Sequence, residues 1–433
     1  MRELTDEIVV SHRPQPPRPA PAGVRVPGRH VAETARHPDG RLAVITWSAP
    51  EIDPGLLHPA LHVVSPDGTI TDLGPTPADA GAPVWWGDEV CYLALTPPLL
   101  QAGNAVFDQR HRNLTEGVLA CPVDLVQDDG NAPVVVVAAG LDTEFHRLGS
   151  DALAHAGSCL PPDRDGLLGL VRGSHLPPAY RDLDGIGWGT QERLSYRARD
   201  GLILAGLLVL PLGRTREDGP FPLVTIVHGG PYDRFADSLQ LHWVPSAQWF
   251  AHQGIATFLP NPRGGLGHGH EFAARVGGRV GLEEWHDIED GLDLLVAHGV
   301  AHPDRLGIAG WSHGGFMAAW ATTRTGRFRA ALVGAGISDW PRQVQHGEWG
   351  AFEAALADTP ELSPITYAHE ITTPMLIVHG AEDTNVPVEQ AELLHAAVRH
   401  SELVVYPGEG HSLRQREHRL DLLNRARRLF AKL

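Results

Sequence analysis

From about residue 190 to the C-terminus, apolar runs of strand length alternate with helical stretches, and this pattern limits the fold more than any other feature. The runs lie at 203–210, 223–228, 256–260, 305–309, 330–334, 375–379 and 403–406. Between several of them lie helical segments at 239–252, 281–298, 315–324, 388–399 and 417–430. Strands that are apolar on both faces and separated by helices predict a mostly parallel sheet covered on both sides. The expected domain spans 191–433.

The first half reads differently. Turn signals such as Pro38-Asp39-Gly40 and Pro66-Asp67-Gly68 flank short strand candidates at 41–47, 61–64, 90–95 and 133–138. Amphipathic helical periodicity is almost absent, so 30–190 is expected to be a smaller all-β domain. Residues 11–28 are rich in Pro and Arg, and 1–29 are read as an arm or linker.

Within the second half, Gly310-Trp311-Ser312-His313-Gly314-Gly315 stands between a strand candidate (RLGIA) and an apolar helix candidate (GFMAAWATTR). Alone, a G-x-S-x-G is a weak signal. In this context it predicts a sharp strand-to-helix turn that exposes a strained serine at a helix N-terminus. A serine hydroxyl needs a base, and the base needs an acid to fix its tautomer. Both follow the serine in an α/β-hydrolase. The loop after strand 375–379 offers Asp383, with Glu382 as fallback, and Asp339 is a weaker candidate from the preceding loop. The glycine-rich loop after strand 403–406 offers His411. Two backbone N–H groups are needed for an oxyanion, and His313 and Gly230 of His228-Gly229-Gly230-Pro231 are the candidates.

These segments resemble the prolyl oligopeptidase family of serine peptidases, most closely its acylaminoacyl-peptidase and oligopeptidase branch. The resemblance rests on IVHGGPY (226–232), NPRGGLGHGHEF (261–272), GLEEWHDIEDGLDLL (281–295), GWSHGGFM (310–317), ISDW (337–340), HGAEDTNVP (379–387) and YPGEGH (406–411). It implies triad roles for Ser312, Asp383 and His411, and oxyanion roles for Gly230 and His313. By the same resemblance Arg263 is a candidate substrate carboxyl or carbonyl binder, with a structural ion pair as the alternative. Trp340 is a candidate wall of the pocket before the scissile bond. The implied reaction is hydrolysis of short peptides or acyl-amino acids through an acyl-enzyme. The alternative is an esterase, thioesterase or acyltransferase acting on a small metabolite.

The first half departs from the family pattern. A seven-bladed β-propeller needs about 300 residues at ~40–45 per blade. Residues 30–190 hold roughly three or four blades by the same measure, so a truncated, propeller-like domain is expected. No pair of acids there stands out as a clamp for a substrate amino terminus, although Glu116 and Asp124 are candidates.

The remaining features bound the function. A net charge of -17 argues against nucleic acid or an anionic membrane as partner. Lys432 is the sole lysine, so no internal lysine is available as a base. Cys91, Cys121 and Cys159 fit no metal or redox spacing and read as buried thiols. No cofactor is expected. No metal is expected either, because His268 and His270 of GHGH have no third ligand nearby. The acidic run 283–293 reads as a solvated helix face, and Trp85-Trp86 as an inward-facing pair. No signal peptide or membrane span is visible, so a cytoplasmic location is expected. The sequence leaves the oligomeric state open, and open strand edges in a shortened β-domain make a homodimer one candidate assembly.

Overall fold

The computed structural model describes residues 3–11, 23–96, 100, 103–117, 121–128, 131–149, 152–156, 183, 185–239, 241 and 244–433. These divide into two compact units. One holds the described residues of Met1–Pro14, Ala179–Gly265 and Val276–Leu433, and the other those of Gln15–Pro178 and Leu266–Arg275.

The second unit is built from three antiparallel sheets. The first contains β1 (His30–Arg36), β2 (Leu42–Trp47), β3 (Ala60–Val64) and β4 (Ile70–Pro75), paired in chain order. Next come β5 (Gly81–Trp86), β6 (Glu89–Leu95) and β7 (Asn104–Asp108), again in order. The third sheet runs from β8 (Cys121–Val126) through β9 (Val134–Ala139) and β10 (Asp142–Arg147) to β11 (Ala152–Ala156). Hairpins of this kind follow from the Asp-Gly turns read in the sequence. A short helix, Ile52–Leu57, interrupts the pattern.

Apolar faces of neighbouring sheets close the core. Ile45, Leu61, Trp85, Tyr92 and Phe107 form one cluster, and Val84, Cys91, Val106, Leu125 and Val137 another. Trp85 and Trp86 do not both face inward. Successive residues of a strand point to opposite sides, so Trp85 is buried, with its indole N–H donating to Ala35 O at 3.0 Å, while Trp86 is 40% exposed. Cys91 and Cys121 are free, buried thiols, and burial pushes Cys91 up to about 12. Cys159 lies outside the described residues.

The first unit is centred on an eight-stranded sheet: β12 (Gln191–Arg197), β13 (Ile203–Val209), β14 (Phe221–Val227), β15 (Ala256–Asn261), β16 (Ala301–Trp311), β17 (Phe328–Gly334), β18 (Met375–Gly380) and β19 (Ser401–Tyr406). The spatial order is 12-13-15-14-16-17-18-19. Pairing is antiparallel from β12 to β15 and parallel from β15 to β19. The expected mostly parallel sheet is therefore present, with one additional edge strand. Residues of β12 alternate between buried and exposed, with Glu192, Arg193 and Arg197 among them, which is the pattern of a half-covered edge and not of a doubly buried strand.

Register shows that helices cover both faces. Phe258, Thr225 and Ile308 are aligned neighbours and so share a face. Phe258 packs where a Cβ on Gly291 would meet it at 2.4 Å, which puts helix Glu283–Ala297 on that side. Gly307, next to Ile308, points the opposite way and would meet Phe430 of helix Arg416–Phe430 at 2.9 Å. Phe250 of helix Ala247–His252 packs edge-on to Phe430, with ring centroids 5.2 Å apart. Of the helix expected at 239–252, the described helical part begins only at Ala247. Pro245 disfavours helical backbone before it, and Ser246 caps the start by accepting the Trp249 N–H at 3.3 Å.

Two segments fall on the side opposite to the one their position in the chain suggests. Asp6–Ser11, expected as part of an arm, forms a helix in the sheet-bearing unit. Asp6 accepts from the Trp249 indole at 2.8 Å and from Arg427, and Val10 O accepts from the buried Arg419 at 2.8 Å. Conversely, residues 266–275 belong with the β unit, where Gly140 N–H donates to Gly267 O at 2.8 Å. Among the described residues, no helix is long and apolar enough to cross a membrane.

Candidate active site

Strand β16 ends at Trp311, and helix His313–Arg324 begins two residues later. Ser312 between them has φ 58° and ψ −123°. Positive φ in a non-glycine residue is strained backbone, typically held at functional turns. The flanking glycines are required by crowding. A Cβ on Gly310 would lie 2.1 Å from Gly314 O, and one on Gly314 would lie 2.1 Å from Val227 O. The Ser312 N–H itself donates to Gly334 O at 2.9 Å, which ties the turn to β17.

Asp383 lies in the loop after β18 and His411 in the loop after β19, both at the carboxyl ends of parallel strands. His411 Nδ1 and Asp383 Oδ2 are 2.8 Å apart. The Asp383 side chain is fully buried, and that of His411 is 24% exposed. The other carboxylate oxygen accepts the N–H groups of Asn385 and Val386, each at 3.0 Å. Burial alone raises the Asp383 carboxyl, but hydrogen bonds from His379 and then His411 overcome it and hold the group at about 2. Glu382, the fallback acid, is exposed. Asp339 is committed elsewhere, as the N-cap of helix Trp340–His346, where it accepts the Arg342 N–H at 3.1 Å.

Several residues that hold this geometry went unnoticed in the sequence. Trp311 donates its indole N–H to His411 O at 2.7 Å, linking the serine turn to the histidine loop. His379 Nε2 lies 3.3 Å from Asp383 Oδ2 and 2.7 Å from Val386 O. Buried Glu409 accepts the N–H groups of Arg414 and Gln415, both at 2.8 Å, and meets His418 Nδ1 at 2.9 Å, which braces the loop carrying His411. Trp311 and Glu409 lie inside the motifs GWSHG and YPGEGH, so proximity to the motif was the available signal.

Gly230 has φ 109°, and a Cβ there would meet Tyr232 N at 2.3 Å, so its loop is a tight turn that only glycine fits. His228, which precedes it, is buried, and its Nδ1 lies 2.8 Å from Gly229 O. Burial holds His228 below the usual imidazole range.

Two of the expected substrate-binding residues have other roles. Arg263 is 4% exposed and forms a two-pronged pair with the wholly buried Asp287, at 2.8 and 2.6 Å. A third nitrogen reaches Asp200 at 2.7 Å. With its guanidinium occupied in this way, Arg263 takes the structural alternative and not that of a carboxyl binder. Trp340 is wholly buried, packed edge-on against Phe316 at 5.2 Å, and offers no surface to a ligand in this conformation. In the β unit, Glu116 is exposed on a loop, and the Asp124 carboxylate accepts the neighbouring Leu125 N–H at 2.8 Å. Among the described residues, the one close trio of ligand-type side chains is His37, Asp39 and Asp88. Arg41 bonds both acids, so the trio is an ion-pair cluster.

A doubly covered, mostly parallel sheet with a strained serine at a strand-to-helix turn, followed in sequence by an aspartate and a histidine in contact, defines the α/β-hydrolase class. Residues 242–433 match the model of the prolyl oligopeptidase family, and over this segment the chain is similar to that family. It is 32% identical to an uncharacterized peptidase, YuxL, of Bacillus subtilis over 244 residues, which cover 52% of this chain and 36% of that protein. Identity to the acylamino-acid-releasing enzyme of Sus scrofa is 26% over 248 residues, or 52% and 33% of the two chains. The chain thus spans about a third of the length of these curated relatives. Among solved structures, an acylaminoacyl peptidase of Pyrococcus horikoshii matches 92% of this chain and 70% of its own, with a TM-score of 0.73 at 18% identity. A puromycin hydrolase matches 94% and 70%, with a TM-score of 0.64 at 19% identity. At such identities these structures speak for the fold.

Proposed function

We propose that the protein is a serine peptidase that hydrolyses short peptides or acyl-amino acids through Ser312, His411 and Asp383. The observation that carries this reading is the 2.8 Å contact between buried Asp383 and partly exposed His411, on loops beside the strained turn of Ser312. Asp383 holds the proton on His411 Nδ1, leaving Nε2 free to act as base. Ser312 Oγ gives its proton to His411 as it attacks the carbonyl carbon. The carbonyl oxygen becomes an oxyanion, which the N–H groups of His313 and Gly230 stabilise. Collapse breaks the bond to the leaving amine, which takes the proton from His411. Water then attacks the acyl-enzyme, again with His411 as base, and releases the acid and free Ser312.

The names of the relatives support amide-bond substrates. The same machinery would also serve esters or thioesters, so the substrate class is the point to test. The test is kcat/KM on aminoacyl and acyl-aminoacyl anilides against matched esters, with Ser312→Ala as blank. Anilide cleavage that disappears in the variant is expected. Ester turnover without anilide cleavage would sink the peptidase reading while leaving the triad in place. Retained turnover in Ser312→Ala would sink both.

A further inference from the structure

The acidic helix Glu283–Ala297 is not simply a solvated face. Glu284 is 2% exposed and Asp287 fully buried, three residues apart and so on one side of the helix. Asp287 is neutralised by Arg263. Glu284 reaches the residue after the candidate nucleophile: its Oε1 lies 2.9 Å from His313 Nε2, and its Oε2 accepts the Gly281 N–H at 2.7 Å. His313 is 3% exposed, and its ring packs on Phe316 at 5.3 Å. The other ring nitrogen, Nδ1, is buried and has no hydrogen-bond partner among the described residues. Glu284 therefore makes the only hydrogen bond to this ring among those residues. Across the turn, the Gly314 backbone is pressed against the carbonyls of Val227 and His228, just before the Gly230 loop.

We infer that Glu284 is a positioning residue of the oxyanion hole: by gripping the His313 imidazole, it fixes the Ser312–His313 peptide so that the His313 N–H is aimed before charge develops. This rests on the reading above in which that N–H stabilises the oxyanion. The physical reason is preorganisation. A donor held in place in advance costs no reorganisation at the moment of reaction. His313 is the first residue of its helix, where the backbone N–H has no intrahelical acceptor to hold it. On one side the turn abuts β14, and on the other the buried Glu284–His313 pair fixes it. A misplacement of about 1 Å at such a group costs on the order of a hundredfold in rate.

The experiment compares Glu284→Gln, His313→Phe and the double variant in the full chain. The glutamine removes the charge and one acceptor oxygen at nearly constant volume, and the phenylalanine keeps a ring without nitrogen. Each single variant is expected to lower kcat roughly tenfold to a hundredfold with KM within about twofold. Affinity for a peptidyl boronate, whose adduct with Ser312 carries an oxygen at the oxyanion position, should fall by the same factor as kcat/KM. The double variant should be no worse than the worse single one, because both remove one linkage. Unchanged kcat in folded variants overturns the proposal. So does a loss of kcat with undiminished boronate affinity, or losses that multiply. Should Glu284→Gln fail to fold, His313→Phe alone carries the same readouts. Failure of the underlying reading would show separately, as turnover that survives Ser312→Ala.

Discussion

His411 Nδ1 meets Asp383 at the same carboxylate oxygen, Oδ2, that His379 Nε2 also approaches, at 2.8 and 3.3 Å respectively. The acid is therefore held by two imidazoles and two backbone N–H groups, and stays charged where burial alone would favour its neutral form. Asp383→Asn should keep the fold but invert the hydrogen bond to His411, leaving the wrong tautomer. A fall in kcat of about 10⁴ is expected, measured on the best anilide beside a circular dichroism control.

The same carboxyl makes a pH prediction. Its folded value of about 2 lies below the ordinary value of ~3.9 for an unfolded aspartate. A depressed acid contributes stability that is fully present above the unfolded value and is lost as pH falls through the folded one. Denaturant titrations between about pH 5 and 2 should show a steeper loss of stability in the wild type than in Asp383→Asn. Parallel curves would contradict this assignment.

Arg263 should matter to stability and not to recognition. Removing it leaves Asp287 buried without its cation, and breaking a buried pair from one side costs about 3–5 kcal/mol. Arg263→Met is expected to lower the urea midpoint accordingly. KM for neutral anilides in the surviving folded fraction should stay within about twofold. A large rise in KM at unchanged stability would restore the substrate-binding role.

Asp79 in the β unit behaves oppositely to Asp383. Burial, with a further push from Glu33, raises its carboxyl to about 6. A raised acid binds its proton more tightly in the folded state, so it loses stability for the protein as pH climbs from about 4 through 6. Asn suits its φ of 54°. Asp79→Asn should therefore stabilise the protein at pH 7 and leave it unchanged below about pH 4, as read by thermal unfolding at the two pH values.

Backbone strain at Ser312 gives a prediction of opposite sign for stability and activity. Ser312→Gly should abolish turnover and raise stability by about 1 kcal/mol relative to Ser312→Ala, since glycine alone relaxes at φ 58°. Equal melting temperatures for the two variants would show that the turn stores no such strain.

The sheet was legible because doubly buried strands carry near-continuous apolar runs, such as 306–310 in β16, 330–334 in β17 and 375–378 in β18. The edge strand β12 was missed for the converse reason: one face meets solvent, so exposed Arg193, Ser195 and Arg197 alternate with buried Leu194 and Tyr196. The acids of 283–293 were misread because charge density alone cannot say which carboxylates face inward. That depended on Arg263 and His313, which arrive from other parts of the chain. Trp85-Trp86 was a local error, since strand geometry alone forces adjacent residues apart.

By itself, the sequence determined the alternation of strand and helix, the serine turn with its obligatory glycines, and the order in which acid and histidine follow it. Those properties are local: they depend on neighbours within a few residues and on the period of burial. Only the tertiary structure decided that Asp383 and not Glu382 is buried against His411, that Arg263 is consumed by Asp287, and that Glu284 grips His313. Each of these is a contact between residues far apart in the chain. The low-dielectric interior makes an unpaired charge costly, and the partner that neutralises it can be identified only once the chain has folded.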